Sequence, residues 1–260
     1  MNKIEKVFRK LQRNNKAAFI PYIMAGDPSI EKTKDTVLLL EKCGADIIEL
    51  GVPFTDPLAD GPTIQRAAER ALESGVNLRK VIGLVKELRE KTRIPLVLMT
   101  YYNPVFKYGV EYFVRDAANA GVDGVIIPDL PPEEAGELMQ FAHPDTLATI
   151  FLLAPTSTGE RIRKIAKASR GFIYFVSMTG ITGSRLLLED SLQESIESVH
   201  RTTKKPVAVG FGISSPEEAR KVAAFADGVI VGSAIVKKLQ EPRASFEEFI
   251  SEMRRAIARQ

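Results

Sequence analysis

The sequence has no tryptophan, one cysteine and two histidines in 260 residues. The single thiol, Cys43, excludes an internal disulfide and suits a reducing compartment, so a cytoplasmic location is expected. His143 and His200 lie far apart, each near the end of a helical pattern. Metal sites need clustered ligands, so none is expected here. A dominant charge is also missing. The 36 basic and 33 acidic side chains leave a formal net charge of +3. With no basic run interleaved with aromatics, the chain offers no sign of a nucleic-acid or anionic-membrane surface. No apolar run approaches the roughly 20 residues of a membrane span. No linker or low-complexity stretch divides the chain, and no Gly-x-Gly-x-x-Gly turn follows the first strand pattern as a dinucleotide fold would want.

What the sequence does have is regular alternation. Strand patterns fall at 18–23, 46–50, 95–100, 124–127, 146–153, 172–176, 206–210 and 228–231. Helical patterns fall at 30–43, 78–91, 110–120, 132–142, 159–168, 191–202, 216–224 and 246–258. The strand runs are continuous and β-branched, which suits parallel strands covered on both faces. Cys43-Gly-Ala-Asp-Ile-Ile48, Ala120-Gly-Val-Asp-Gly-Val-Ile-Ile127 and Phe225-Ala-Asp-Gly-Val-Ile-Val231 form a weak repeat, each joining a helix end to a buried strand through Asp. Eight βα units in this length predict one domain over residues 1–260, a (β/α)8 TIM barrel; an open doubly wound sheet remains as the alternative. Ile4, Val7, Phe8 and Leu11 at helical spacing add an extra N-terminal helix, expected to pack on the domain's own core rather than to act as a targeting segment.

In a barrel the chemistry lies at the carboxyl ends of the strands. The second strand carries Glu49 on the same side as Ile47, a charge where the pattern asks for a hydrophobe. A lone buried carboxyl has a raised pKa. Asp60 follows eleven residues later on a Pro- and Gly-broken loop, so the two acids can take different protonation states. Glu49 in a buried ion pair, and Asp60 as the cap of a helix beginning near Pro62, are the structural alternatives. The loops after the last three strands are rich in small residues, including Gly183, Gly212, Gly232 and Ser233, whose backbone N–H groups can surround an anion. Singly, each glycine reads as well as a turn residue. Tyr22, Tyr101, Tyr102 and Tyr174 suit a partly wet pocket as well as a core. Asp123 and Asp129 read as loop and turn residues. Residues 177–189, glycine-containing and long for a βα loop, read as a closing segment.

The segment Glu49-Leu-Gly-Val-Pro-Phe-Thr-Asp-Pro-Leu-Ala-Asp-Gly-Pro-Thr-Ile-Gln65 resembles the defining segment of the tryptophan synthase α subunit. The likeness runs along the whole chain through Pro21-Tyr-Ile-Met-Ala-Gly-Asp-Pro28, Tyr102-Asn-Pro104, Ile127-Pro-Asp-Leu-Pro131, Leu153-Ala-Pro-Thr-Ser157, Thr179-Gly-Ile-Thr-Gly183, Gly210-Phe-Gly-Ile-Ser214 and Val231-Gly-Ser-Ala-Ile-Val236. The resemblance implies retro-aldol cleavage of indole-3-glycerol phosphate to indole and glyceraldehyde 3-phosphate. It implies Glu49 as acid/base and Asp60 as the carboxylate facing the indole N–H. Gly183, Gly212, Gly232 and Ser233 would hold the phosphate, and Tyr22, Tyr101, Tyr174, Thr182 and Phe211 would line the pocket. It implies no cofactor in this chain and a partner β subunit carrying pyridoxal phosphate, in an α2β2 tetramer that receives the indole. Tyr22 stands where the resemblance leads one to expect phenylalanine often, and Met178 occupies a variable spot.

Two rival readings remain. Another phosphate-binding barrel enzyme would typically carry Asp on strand 1 or Lys among the strand ends, and neither occurs. A non-catalytic binding subunit would have no need of the Glu49 and Asp60 pair.

Overall fold

The computed structural model describes residues 1–176, 185–210 and 212–258, with the backbone alone for 185–190. Nine parallel strand segments form one sheet in the order β5-β4-β3-β2-β1-β9-β8-β7-β6. They are β1 (Ala18–Met24), β2 (Ile48–Gly51), β3 (Leu96–Met99), β4 (Gly124–Ile126), β5 (Ala148–Ile150), β6 (Leu152–Leu153), β7 (Ile173–Val176), β8 (Val207–Gly210) and β9 (Gly228–Val231). The fifth expected strand is thus two segments either side of Phe151. β5 pairs with β4 and β6 with β7, so this divided strand joins the two ends of the sheet. The Thr149 carbonyl accepts from the Arg170 N–H at 2.8 Å and the Phe151 carbonyl from the Tyr174 N–H at 3.1 Å, carrying the ladder across the break. The alternative of an open sheet is removed; the architecture is a (β/α)8 barrel.

Register partners in a parallel sheet share a face. Tyr22 is aligned with Glu49, Glu49 with Val97, Val97 with Gly124, and Gly124 with Ala148. Tyr22 and Met99 line the internal cavity, which makes this face the barrel interior. Small residues on that face make room at the amino ends of the strands for α1 (Lys3–Arg13). Its Ile4, Phe8 and Leu11 are buried. A Cβ at Gly124 would lie 2.9 Å from Ile4 Cδ1, and one at Gly171 3.0 Å from Ile4 Cγ2. The Phe8 and Phe172 rings meet at 5.5 Å. The amphipathic N-terminal pattern is therefore the floor of the barrel.

The repeated Asp is a structural clasp. In each copy the Asp N–H donates to a carbonyl at the start of the neighbouring strand, while its carboxylate accepts that residue's own N–H. Asp46 does this with Phe19, Asp123 with Leu96 and Asp227 with Val207. Each carboxylate also meets a basic side chain: Arg254 at 2.9 Å, Lys3 and Arg89 at 3.1 and 2.5 Å, and His200 at 2.9 Å respectively. Asp123, expected at a turn, is buried by this pairing.

The helices follow the expected chemistry with three differences. The helix placed at 132–142 is shorter, α7 (Gly136–Phe141), because 132–135 form turns. Tyr102–Tyr108, where the sequence patterns placed no helix, is helix α5. Its first N–H donates to Asp129 at 2.9 Å, so an Asp expected to serve a turn caps a helix from the next loop. The helix expected from 191 begins earlier, as α9 (Arg185–Thr202), so 185–189 are helical rather than part of a long loop. The remainder of that expected closing segment, 177–184, lies outside the described residues.

Candidate active site

β1 and β2 place Tyr22 and Glu49 side by side at the carboxyl end of the barrel. Glu49 is 1% exposed, and among the described residues neither carboxyl oxygen has a hydrogen-bond partner. The described residues offer no partner for the buried-ion-pair alternative. Burial, and secondarily the charge of Asp60, push the Glu49 carboxyl up to about 8. At neutral pH this side chain is predominantly an acid with a proton to give.

Asp60 arrives from the loop after β2. The Val52 N–H donates to Met99 O at 2.8 Å, and the Ala59 N–H donates to the Tyr101 hydroxyl at 2.9 Å. The Gln65 side chain holds the Asp60 carbonyl at 2.8 Å. The N-cap of α3 (Pro62–Glu73) is Gly61, with no side-chain cap bond and Pro at the first position. The Asp60 carboxylate is therefore not spent as a helix cap. Burial pushes it up to about 6, against the lowering effect of the Tyr101 hydroxyl. Two carboxyl groups in one site thus ionise in sequence, Asp60 first.

Above the acids lies a cavity of about 230 Å³ lined by Tyr22, Asp60, Met99, Tyr174, Gly212, Gly232 and Ser233, among others. Tyr22 and Tyr174 lean over glycines at the ends of adjacent strands. A Cβ at Gly51 would lie 2.9 Å from Tyr22 Cε2, and one at Gly210 would lie 2.7 Å from Tyr174 Cε1. At these two positions a bare backbone makes room for a phenol. Gly212 has φ +79°, a left-handed conformation that favours glycine. Gly232 is the N-cap of α11 (Ser233–Lys238), and it and Ser233 line the same cavity, so the start of that helix borders it.

Of the expected site residues, Tyr22, Asp60, Tyr174, Gly212, Gly232 and Ser233 meet at one cavity. Glu49 and Tyr101 stand outside its lining: Glu49 is register-paired with Tyr22, and Tyr101 holds the Asp60 loop. Thr182, Gly183 and Phe211 lie outside the described residues. The sequence reading missed Met99, Ile64, Ile213 and Ile230 as lining residues. Strand alternation could have found Met99, two residues beyond Val97, but Ile64 and Ile213 depend on how loops return over the barrel.

A family model described as Tryptophan synthase alpha chain matches residues 8–259. The chain belongs to the tryptophan synthase alpha chain family. It is 53% identical over 241 residues to the tryptophan synthase alpha chain of Geotalea daltonii, covering 93% of this chain and 91% of that one. It is 48% identical over 262 residues to that of Geobacter sulfurreducens, covering 99% of both. Among solved structures, tryptophan synthase subunit alpha from Legionella pneumophila superposes with a TM-score of 0.91 at 40% identity, over 99% of this chain and 98% of that one. A chain of Mycobacterium tuberculosis tryptophan synthase superposes with a TM-score of 0.92 at 40% identity, over 100% and 99%. As a tryptophan synthase alpha chain, the protein cleaves indole-3-glycerol phosphate, the α reaction of tryptophan biosynthesis.

Proposed function

We propose that Glu49 supplies the acid/base chemistry of this cleavage and that Asp60 supplies its electrostatic counterpart. The observation that carries the reading is the Glu49 carboxyl: inside the barrel, without a partner among the described residues, pushed up to about 8 beside an acid at about 6. Breaking the bond at indole C3 requires protonation of C3, which places a cation on the ring system. The Glu49 proton goes to C3, and the Asp60 carboxylate balances the charge toward the ring nitrogen. The side-chain hydroxyl then gives its proton to the Glu49 carboxylate as its C–O bond becomes the aldehyde. The electrons of the broken C–C bond restore the aromatic ring. Glu49 ends as it began, and no lysine or metal takes part in the scheme.

Gly212, Gly232 and Ser233, with Gly183, are the proposed phosphate holders. Tyr22, Tyr101, Tyr174, Thr182 and Phe211 are the proposed pocket residues. This support is geometric for the first three holders and for Tyr22 and Tyr174, which line the cavity. The chain is read as one domain needing no cofactor of its own. Its partner is a β subunit carrying pyridoxal phosphate, within a cytoplasmic α2β2 assembly. Among the described residues no helix is long and apolar enough to cross a membrane. The partner surface is the carboxyl-end face, where Leu58 is 92% and Phe106 63% exposed. Glu49→Gln tests the chemistry: turnover should fall by at least about a thousandfold, the scale of losing an essential proton donor, while a phosphate-ligand analogue still binds. Asp60→Asn should lose most activity as well. Cleavage by Glu49→Gln at a near-normal rate would contradict the assignment.

A further inference from the structure

Glu49 must become a carboxylate part-way through the reaction, yet among the described residues neither of its oxygens has a hydrogen-bond partner. A buried carboxylate without a donor is costly. The residue aligned with it on the next strand is Tyr22, whose ring lies along β2 with its hydroxyl over Gly51, two residues beyond Glu49 on the same face. Tyr22 lines the cavity and Glu49 does not, so of the aligned pair the phenol is the member that reaches the substrate space. Among the described residues the groups around this point are Tyr22 from β1, Asp60 from the loop after β2, Tyr101 after β3 and Tyr174 from β7, none of them a cation. Burial and the two acids hold the Tyr22 phenol well above its ordinary range, so it remains an O–H donor at every working pH.

We propose that Tyr22 is a positioning residue whose hydroxyl donates to the Glu49 carboxylate once the proton has passed to the substrate. The assignment rests on Glu49 being the acid. It makes the hydroxyl, rather than the ring alone, matter at this position. A donor to the charged form lowers a carboxyl pKa, so the hydroxyl draws Glu49 down toward neutrality from where burial alone would leave it.

The test is a carboxyl carbon NMR titration of Glu49 in the apo chain, with and without Tyr22→Phe, alongside steady-state cleavage. Tyr22→Phe keeps the ring and removes only the donor. It should raise the Glu49 titration by about one pH unit, a tenfold change in ionisation, and lower kcat about tenfold with KM nearly unchanged. Fluorotyrosine at position 22, a stronger donor in the same space, should move the titration the opposite way, which a purely packing role would not do. A Glu49 titration identical in wild type and Tyr22→Phe overturns the proposal. Because the titration is read without substrate, it stays informative even if Glu49→Gln retains activity and the acid is reassigned.

Discussion

A carboxyl group in the wall of a barrel is expensive in proportion to the pH at which it is asked to ionise. Glu49 holds its proton up to about 8, far above an ordinary glutamic acid. Because the folded state binds that proton more tightly than the unfolded chain, stability falls as pH rises from about 4.5 to about 8 and is flat beyond. At about 1.36 kcal/mol per pH unit, the side chain costs roughly 4–5 kcal/mol at alkaline pH relative to acid. Asp60 adds a smaller loss between about 4 and 6 by the same logic. Glu49→Gln cannot ionise, so it should be more stable than wild type in urea titrations, and the gap should widen from pH 5 to 8 and then stay constant. A gap independent of pH would show that Glu49 titrates normally. The position was legible because one charge interrupted an apolar strand. The restraint of Asp60 by Tyr101 was not, since the Ala59 N–H meets that hydroxyl across 42 residues.

At the scale of elements, the sequence exposed the period of the fold and hid its joints. Strand positions were legible because parallel barrel strands are uninterrupted apolar runs. The split at Phe151 was not, because 146–153 has the same apolar character on both sides. Helix α5 escaped because Pro104 and the aromatics around it resemble a loop, and its first N–H is satisfied by Asp129 from another loop. The helix at 191–202 was legible, but its earlier start at Arg185 was not, because a glycine-containing stretch precedes it. The Asp repeat was visible as sequence, but its clasping role was not, since each partner strand lies elsewhere in the chain. Among the clasps, Asp123 and Arg89 have the more buried side chains, 8% and 12% exposed, against 18% and 22% for Asp46 and Arg254. Removing one partner of a buried pair strands the other. Asp123→Ala should therefore destabilise the barrel by about 3 kcal/mol, and Asp46→Ala by about half as much. Equal losses in equilibrium unfolding would mean that the strand N–H bond, common to both, carries the effect instead of the ion pair.

At the scale of the whole molecule, both ends of the barrel are specialised. The amino end is closed by α1, and the carboxyl end gathers the acids, the cavity and the exposed side chains Leu58 and Phe106. A partner seated on the latter end, as proposed, would press on the loop that carries Asp60 and favour an arrangement in which both acids are placed for reaction. The isolated chain should therefore cleave slowly and a matching β subunit should accelerate it. Charge reversal at exposed Asp56 should weaken that acceleration more than it changes the isolated rate. A complex that forms without accelerating cleavage would contradict the coupling. The central claim, that a protonated Glu49 and an ionised Asp60 work together, is tested most directly by the pH dependence of kcat/KM for indole-3-glycerol phosphate cleavage. The account predicts a bell, falling below about 6 as Asp60 gains its proton and above about 8 as Glu49 loses its own. A rate that stays level through pH 9, or climbs there, would contradict it.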